Sequence, residues 1–272
     1  MLQLSRLILF FCAGLLVCAG SASRSNEAGN AASQIRGDSV CGIKKNFGSG
    51  CDGIRKRAIL DASSEPWRAI GRVNFASTQI RSHCTGTLIS ENRVLTAAHC
   101  LFNHKRKSWI PPSSLRFAAG YERGGAVAVS SVERYEMDPF HNRESREFRS
   151  VAAKDWAILV LSDPIGKTTG HAVLSDAPEH DVANGTISLA GYAGLRPQVL
   201  SHATDCGETS FRHGQGIFRS QCSVMQGDSG APIFVIENGK IRIIAVLSAI
   251  AVSGQGLFNI AVPVSTVPDE VQ

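Results

Sequence analysis

The sequence predicts an all-β protein made of two packed β units, and three observations lead there. Short apolar stretches recur between turns, long helical periodicity is hard to find, and a Gly/Pro-punctuated segment divides the stretches into two groups. Before the divide come AIGRVNF (69–75), TGTLIS (85–90), AVAVSSVERY (126–135) and DWAILVL (155–161). After it come GTISLAGY (185–192), APIFVI (231–236), IRIIAVLSAI (241–250) and LFNIAV (257–262). Several are β-branched or aromatic and end at Gly, Pro, Asn or Ser, as strands do. The divide itself, 162–185, carries Pro164, Gly166, Gly170, Pro178 and Gly185. Asn238-Gly239 between two apolar runs is a hairpin turn signal, because its two central residues tolerate positive φ.

The beginning of the chain reads as an address. Residues 1–22 offer Arg6, a 13-residue apolar or glycine run at 7–19, and the small residues Gly20-Ser21-Ala22. That run is too short to span a bilayer comfortably and suits a cleaved signal peptide, so a secreted or periplasmic location is expected. Removing Cys12 and Cys18 leaves Cys41, Cys51, Cys84, Cys100, Cys206 and Cys222. An even number in an exported chain points to disulfides, although six cysteines alone allow about 15 pairings. Residues 23–57 are rich in Ser, Gly, Asn and basic side chains and end in Ile54-Arg55-Lys56-Arg57. They read as a propeptide ending at a processing site, in preference to a solvated linker.

Composition excludes more than it selects. At 43% hydrophobic and 19% charged residues, the chain is too apolar for disorder and too sparsely charged for a coiled coil. A net charge of +5 without a long basic block gives no footprint for nucleic acid. No membrane association is expected once the signal is removed. The cysteines lack the close Cys and His clustering that zinc needs, and neither a metal nor a cofactor is expected.

Three local motifs carry chemistry: LTAAHC (95–100), KDWAIL (154–159) and QGDSGAP (226–232). Each alone has an ordinary structural reading, but together they complete a nucleophile relay. A serine hydroxyl needs a base within hydrogen-bond reach, and a histidine titrates near neutrality. A carboxylate fixes the imidazole tautomer and stabilises the charged ring. Glycines around Ser229 let the backbone turn tightly, so that the Gly227 and Ser229 N–H groups can converge on a developing oxyanion.

In these motifs, in their order and separations, the sequence resembles the trypsin/chymotrypsin-like serine protease family over about residues 58–265. PWRAIGRV (66–73) is further similar to the bacterial secreted branch that includes glutamyl endopeptidases. The resemblance implies two six-stranded antiparallel β-barrels, taken as 58–170 and 171–272, with the site between them. It implies Ser229 as nucleophile, His99 as base then acid, and Asp155 as orienting carboxylate. It also implies disulfides Cys84–Cys100 and Cys206–Cys222, the first worth on the order of 3 kcal/mol; Cys41 and Cys51 would then pair. By the same likeness Asp228 pairs with an ammonium freed by cleavage before Ala58 or near Arg55, which makes an activating protease a possible partner. Ala58-Ile59-Leu60 departs from the family's usual Ile-Val-Gly-Gly start.

The same resemblance implies a specificity wall at Ser223, Val224, Ser248 and Ile250. Ser223 carries no charge to select Arg or Lys, Leu247 stands where glutamyl endopeptidases place a histidine, and Ile250 narrows the pocket. A small or medium apolar residue before the cleaved bond follows. The expected protein is a monomeric secreted endopeptidase acting on proteins or peptides through an acyl-enzyme. The alternatives are a noncatalytic protease-like binding protein and an esterase using the same relay; the order His…Asp…Ser does not fit the α/β-hydrolase pattern.

Overall fold

A computed structural model describes residues 51–76, 81–204, 206–253 and 256–271. The signal peptide, most of the 23–57 segment and Cys41 lie outside the described residues. The chain enters through a short helix α1 (Asp52–Lys56) and then runs β1 (Ala58–Ile59), β2 (Ile70–Ala76), β3 (Arg81–Leu88) and β4 (Arg93–Thr96). A small hairpin, β5 (Phe102–Asn103) and β6 (Ser108–Trp109), precedes β7 (Leu115–Ala119), β8 (Ala128–Met137) and β9 (Ala157–Leu161). Next come α2 (Gly166–Thr169), β10 (Val173–Leu174), α3 (Pro178–Asn184), β11 (Ser188–Gly191), β12 (Ser201–Ala203), β13 (Ser210–Arg212) and β14 (Ile217–Ser220). The chain closes with β15 (Pro232–Glu237), β16 (Lys240–Ser253) and β17 (Gly256–Pro263).

The first unit is a closed barrel in the order β2-β3-β4-β9-β8-β7. Its strand β9 shows why the run AILVL carries no polar alternation: every residue is buried. Ala157, Leu159 and Leu161 point into the barrel with Val73, Val94, Leu115 and Phe117. Ile158, between them, faces the other way and joins Ile70, Leu95 and Trp156 against Tyr192, Phe234, Ile243 and Val246 of the second unit. Period-two alternation thus fills two cores at once, one inside the barrel and one between the units.

The second unit follows the strand path β1-β12-β11-β15-β16-β17-β14-β13, with β10 beside β16. The Asn238-Gly239 turn is present, with φ of 50° and 74° and Glu237 paired to Lys240. The described strands of the two units give the all-β fold expected. One particular differs from the expected division, which began the first unit at residue 58. Strand β1 pairs with β12, Ala58 opposite His202, so the first strand after the basic run joins the second unit. Few helices form because the 162–185 connection is broken by glycine and proline into the short α2 and α3.

Disulfides Cys84–Cys100 and Cys206–Cys222 are formed, and Cys51 is disulfide-bonded as well. Among the described residues no helix is long and apolar enough to cross a membrane. Phe117 is fully buried at the centre of the barrel core. Replacing it with Ala removes an aromatic ring with nothing to fill the space, and Phe117→Ala is expected to lose about 3–5 kcal/mol in urea unfolding.

Candidate active site

His99 follows β4 in a 3-10 turn over Ala98–Leu101, and Asp155 caps another such turn over Ala152–Lys154 just before β9. Because β4 and β9 are neighbours, with Thr96 opposite Ala157, both side chains emerge at one end of the same strand pair. Asp155 is buried and its carboxylate is held from three directions. The His99 backbone N–H donates to Oδ1 at 2.8 Å, His99 Nδ1 donates to Oδ2 at 2.7 Å, and Ser248 Oγ donates to Oδ2 at 2.6 Å. With Nδ1–H committed to the carboxylate, the lone pair of a neutral ring resides on Nε2, the tautomer a general base needs.

Two opposed influences set the His99 pKa. Burial, the larger single one, lowers it, while the Asp155 charge and hydrogen bond together outweigh burial and raise it above its ordinary value of 6.5. The partly buried Phe148 ring meets the imidazole edge-on at 6.4 Å.

Ser229 is brought to this histidine by the opposite unit. Cys100 Sγ lies 3.9 Å from both His99 Nε2 and the Ser229 carbonyl oxygen, so the two residues meet across the disulfide. A bond from Ser229 Oγ to His99 Nε2 is not among the hydrogen bonds made by the described residues; such contacts commonly tighten only when substrate binds. Cys84, His99 and Cys100 bring three potential ligand atoms within 4.8 Å of one another. Both sulfurs are spent in the disulfide, and the thiolate is the form that binds metal.

The turn carrying Ser229 is clamped to the first barrel. Thr85 N–H donates to the Ser229 carbonyl at 2.9 Å, and Thr85 Oγ1 donates to the Gly227 carbonyl at 2.9 Å. Gly227 has φ +100°, and a Cβ there would lie 2.4 Å from the Tyr192 carbonyl oxygen. At Gly230, φ +78°, a Cβ would lie 2.3 Å from the Thr85 carbonyl oxygen and 2.2 Å from Thr96 Oγ1. Only glycine admits both that backbone and that approach.

The residues expected to form the specificity wall divide in the structure. Ser248 sits at a register shift in the β16–β17 pair, between Leu247 and Ala249, and its hydroxyl goes to Asp155. That bulge re-aims the side chain, so Ser248, expected in the specificity wall, has its hydroxyl on the carboxylate. Val224 is buried and Ile250 packs against the same apolar cluster. Ser223 has an exposed side chain, and its carbonyl is taken by Arg57.

Several neighbours escaped the sequence. Asn259 lies opposite Ile250, buried, with Nδ2 on the Cys222 carbonyl at 2.7 Å. Only strand register reveals it. Phe148 lies in the Arg- and Glu-rich 143–149 stretch, which reads as a solvated loop, yet it packs onto the barrel core and stacks on His141 at 5.0 Å. Its signal was the single aromatic among charges. In the uncut chain Asp228 is paired with the Arg57 guanidinium.

The trypsin family model matches residues 61–270. The chain belongs to the trypsin family. Within that family it is 26% identical over 225 residues to human chymotrypsin-like elastase family member 1, covering 71% of this chain and 81% of that one. It is 25% identical over 186 residues to the glutamyl endopeptidase of Bacillus licheniformis, covering 65% and 51%. Mouse serine protease 23 matches at 25% over 177 residues, 58% of this chain, and the chain spans 44% of that protein's length. In fold, a solved Glu endopeptidase in complex with MPD superposes at TM-score 0.60 and 19% identity over 78% of this chain and 93% of its own.

The balance at His99 has a measurable sign. In an NMR titration of the imidazole the wild-type midpoint is expected above 6.5. In Asp155→Asn the raising charge is gone and burial remains, so the midpoint should fall below 6.5. A midpoint unchanged by the substitution would contradict the balance described.

Proposed function

We propose that this protein is an exported serine endopeptidase in which Ser229, His99 and Asp155 act as the relay. The observation that carries the reading is the fixed imidazole, with Nδ1–H on a carboxylate that also accepts from Ser248. Ser229 Oγ would attack the peptide carbonyl carbon as its proton passes to His99 Nε2. The Gly227 and Ser229 N–H groups would stabilise the oxyanion. The C–N bond then breaks, the amine leaves with the proton from His99, and Ser229 remains acylated. Water, deprotonated by the same nitrogen, attacks the ester and restores the hydroxyl. The raised His99 pKa means that the neutral, working base accumulates only as pH rises through a value above 6.5.

Substrate choice follows from the pocket wall. Ser223 offers no carboxylate for Arg or Lys, and Leu247 offers no cation for Glu. Ile250 faces Asn259 across β16 and β17 with a branched apolar side chain and an amide. The structure therefore supports cleavage after small or medium apolar residues such as Ala or Val. The human relative's name, an elastase, is in keeping with that preference.

The test is labelling of the secreted protein by a fluorophosphonate, followed by a panel of chromogenic peptides differing only before the cleaved bond. Wild type should be labelled and Ser229→Ala should not. Ala and Val peptides should be cut faster than Arg or Glu peptides by about 10-fold or more, the scale on which pocket contacts discriminate. Preference for Arg or Glu would overturn the specificity. Loss of both labelling and hydrolysis would favour a noncatalytic binding protein, and ester cleavage without peptide cleavage would favour an esterase.

A further inference from the structure

Residues 51–57 are built into the fold, and their contacts converge on Asp228. Cys51 and Ile54 are buried with Ala193 and Met225. At Gly53 a Cβ would fall 2.0 Å from Ser223 Oγ, so α1 lies directly on the wall that precedes the nucleophile turn. Arg57 follows with a side chain 1% exposed, against an Asp228 side chain 0% exposed.

All five guanidinium N–H groups of Arg57 are placed. Nη1 donates to Asp228 Oδ1 at 2.9 Å and to Ser201 Oγ at 3.4 Å. Nη2 donates to Asp228 Oδ2 at 2.9 Å and to the Ser223 carbonyl, which also accepts from Nε at 3.0 Å. The fork matches both carboxylate oxygens, a geometry that a three-donor ammonium cannot reproduce. Asp228 Oδ2 further accepts the Met225 N–H at 2.9 Å, which closes the turn 225–228.

The bond that a processing enzyme would cut is also held. The Arg57 carbonyl accepts from Arg196 Nη1 at 2.9 Å, and a second Arg196 nitrogen binds the Arg55 carbonyl. Immediately beyond, Ala58 and Ile59 pair with His202 and Ser201, and the Leu60 N–H donates to the Leu200 carbonyl at 3.0 Å. A protease selecting arginine must swallow the very side chain that is buried here, so cutting requires local unfolding first.

We propose that Arg57 is the internal counter-ion of Asp228 that shapes the Gly227–Ser229 turn in the uncut chain, so activity does not await cleavage before Ala58. This replaces the freed ammonium expected from the family likeness, and it rests on the protease reading above. Arg57 is a positioning residue. It touches no substrate, and it acts by tying the Ser223 carbonyl and the Asp228 carboxylate to one rigid group.

The experiment is fluorophosphonate labelling of the secreted chain, followed by reduction and intact-mass measurement. The labelled species should be continuous through the 57–58 bond. Arg57→Ala should slow labelling and lower kcat by about 100-fold, the scale of losing one oxyanion donor, with KM changed far less. Added methylguanidine should restore part of the rate in Arg57→Ala but none in Asp228→Asn, and Arg57→Lys should lie between. The mass measurement needs no variant to fold. Labelling confined to a chain cut before Ala58, or Arg57→Ala labelled at the wild-type rate, overturns the inference alone. No labelling of cut or uncut wild type overturns the protease reading and the inference with it.

Discussion

The candidate site depends on one seam, the contact between the Gly227–Ala231 turn and strands β3 and β4 of the barrel. The imidazole and Asp155 belong to one unit and the hydroxyl belongs to the other, so their meeting is a question of how closely the units approach. Thr85 answers it with both backbone and side chain, donating to the Ser229 and Gly227 carbonyls while its Oγ1 also accepts the Tyr192 N–H at 3.0 Å. Gly230 N–H then ties the turn to the Leu247 carbonyl at 2.8 Å, one residue before Ser248. A chain of short polar contacts therefore runs from Thr85 through Ser229 to Ser248 and back to Asp155. Apolar packing of Leu95, Trp156 and Ile158 against Tyr192, Phe234 and Val246 supplies the pressure that keeps it closed.

Behind the seam stands a buried charge pair that burial alone would oppose. Taking a guanidinium and a carboxylate out of water costs several kcal/mol per ion, and attraction offsets that only when every remaining donor is paired. Arg57 meets the condition, since Asp228, Ser201 and Ser223 accept all its N–H groups. Such a pair adds little net stability relative to apolar packing. It excludes other conformations of the turn instead, because any of them leaves a buried charge unpaired.

Much of this was legible in the sequence wherever a local rule applied. LTAAHC, DWAIL and GDSGAP singled out His99, Asp155 and Ser229 because their residue types suit one chemistry and their flanks carry strand and turn signals, and the fold brings the three motifs to one seam. Asn238-Gly239 located its hairpin because two positive φ angles in succession leave few alternatives. Ser248 was placed on the right strand, yet the bulge that turns its hydroxyl onto Asp155 has no local signature. Asn259 and Phe148 were missed for the same reason: each matters through what stands opposite, and register is decided by the whole sheet.

Arg57 shows what a local reading leaves undivided. Ile54-Arg55-Lys56-Arg57 is a dense basic run with little else charged near it, and such runs are ordinarily exposed to solvent and proteases. Its charges do not share one fate. Arg55 is half exposed and pairs with Asp52, whereas Arg57 is buried on Asp228. The distinction arises from α1, whose Ile54 anchors the helix on Met225 and leaves Arg57, three residues on, at the helix exit facing the interior. Composition counts both arginines alike. What separates them is the buried Asp228 carboxylate, whose two oxygens both accept from the Arg57 guanidinium.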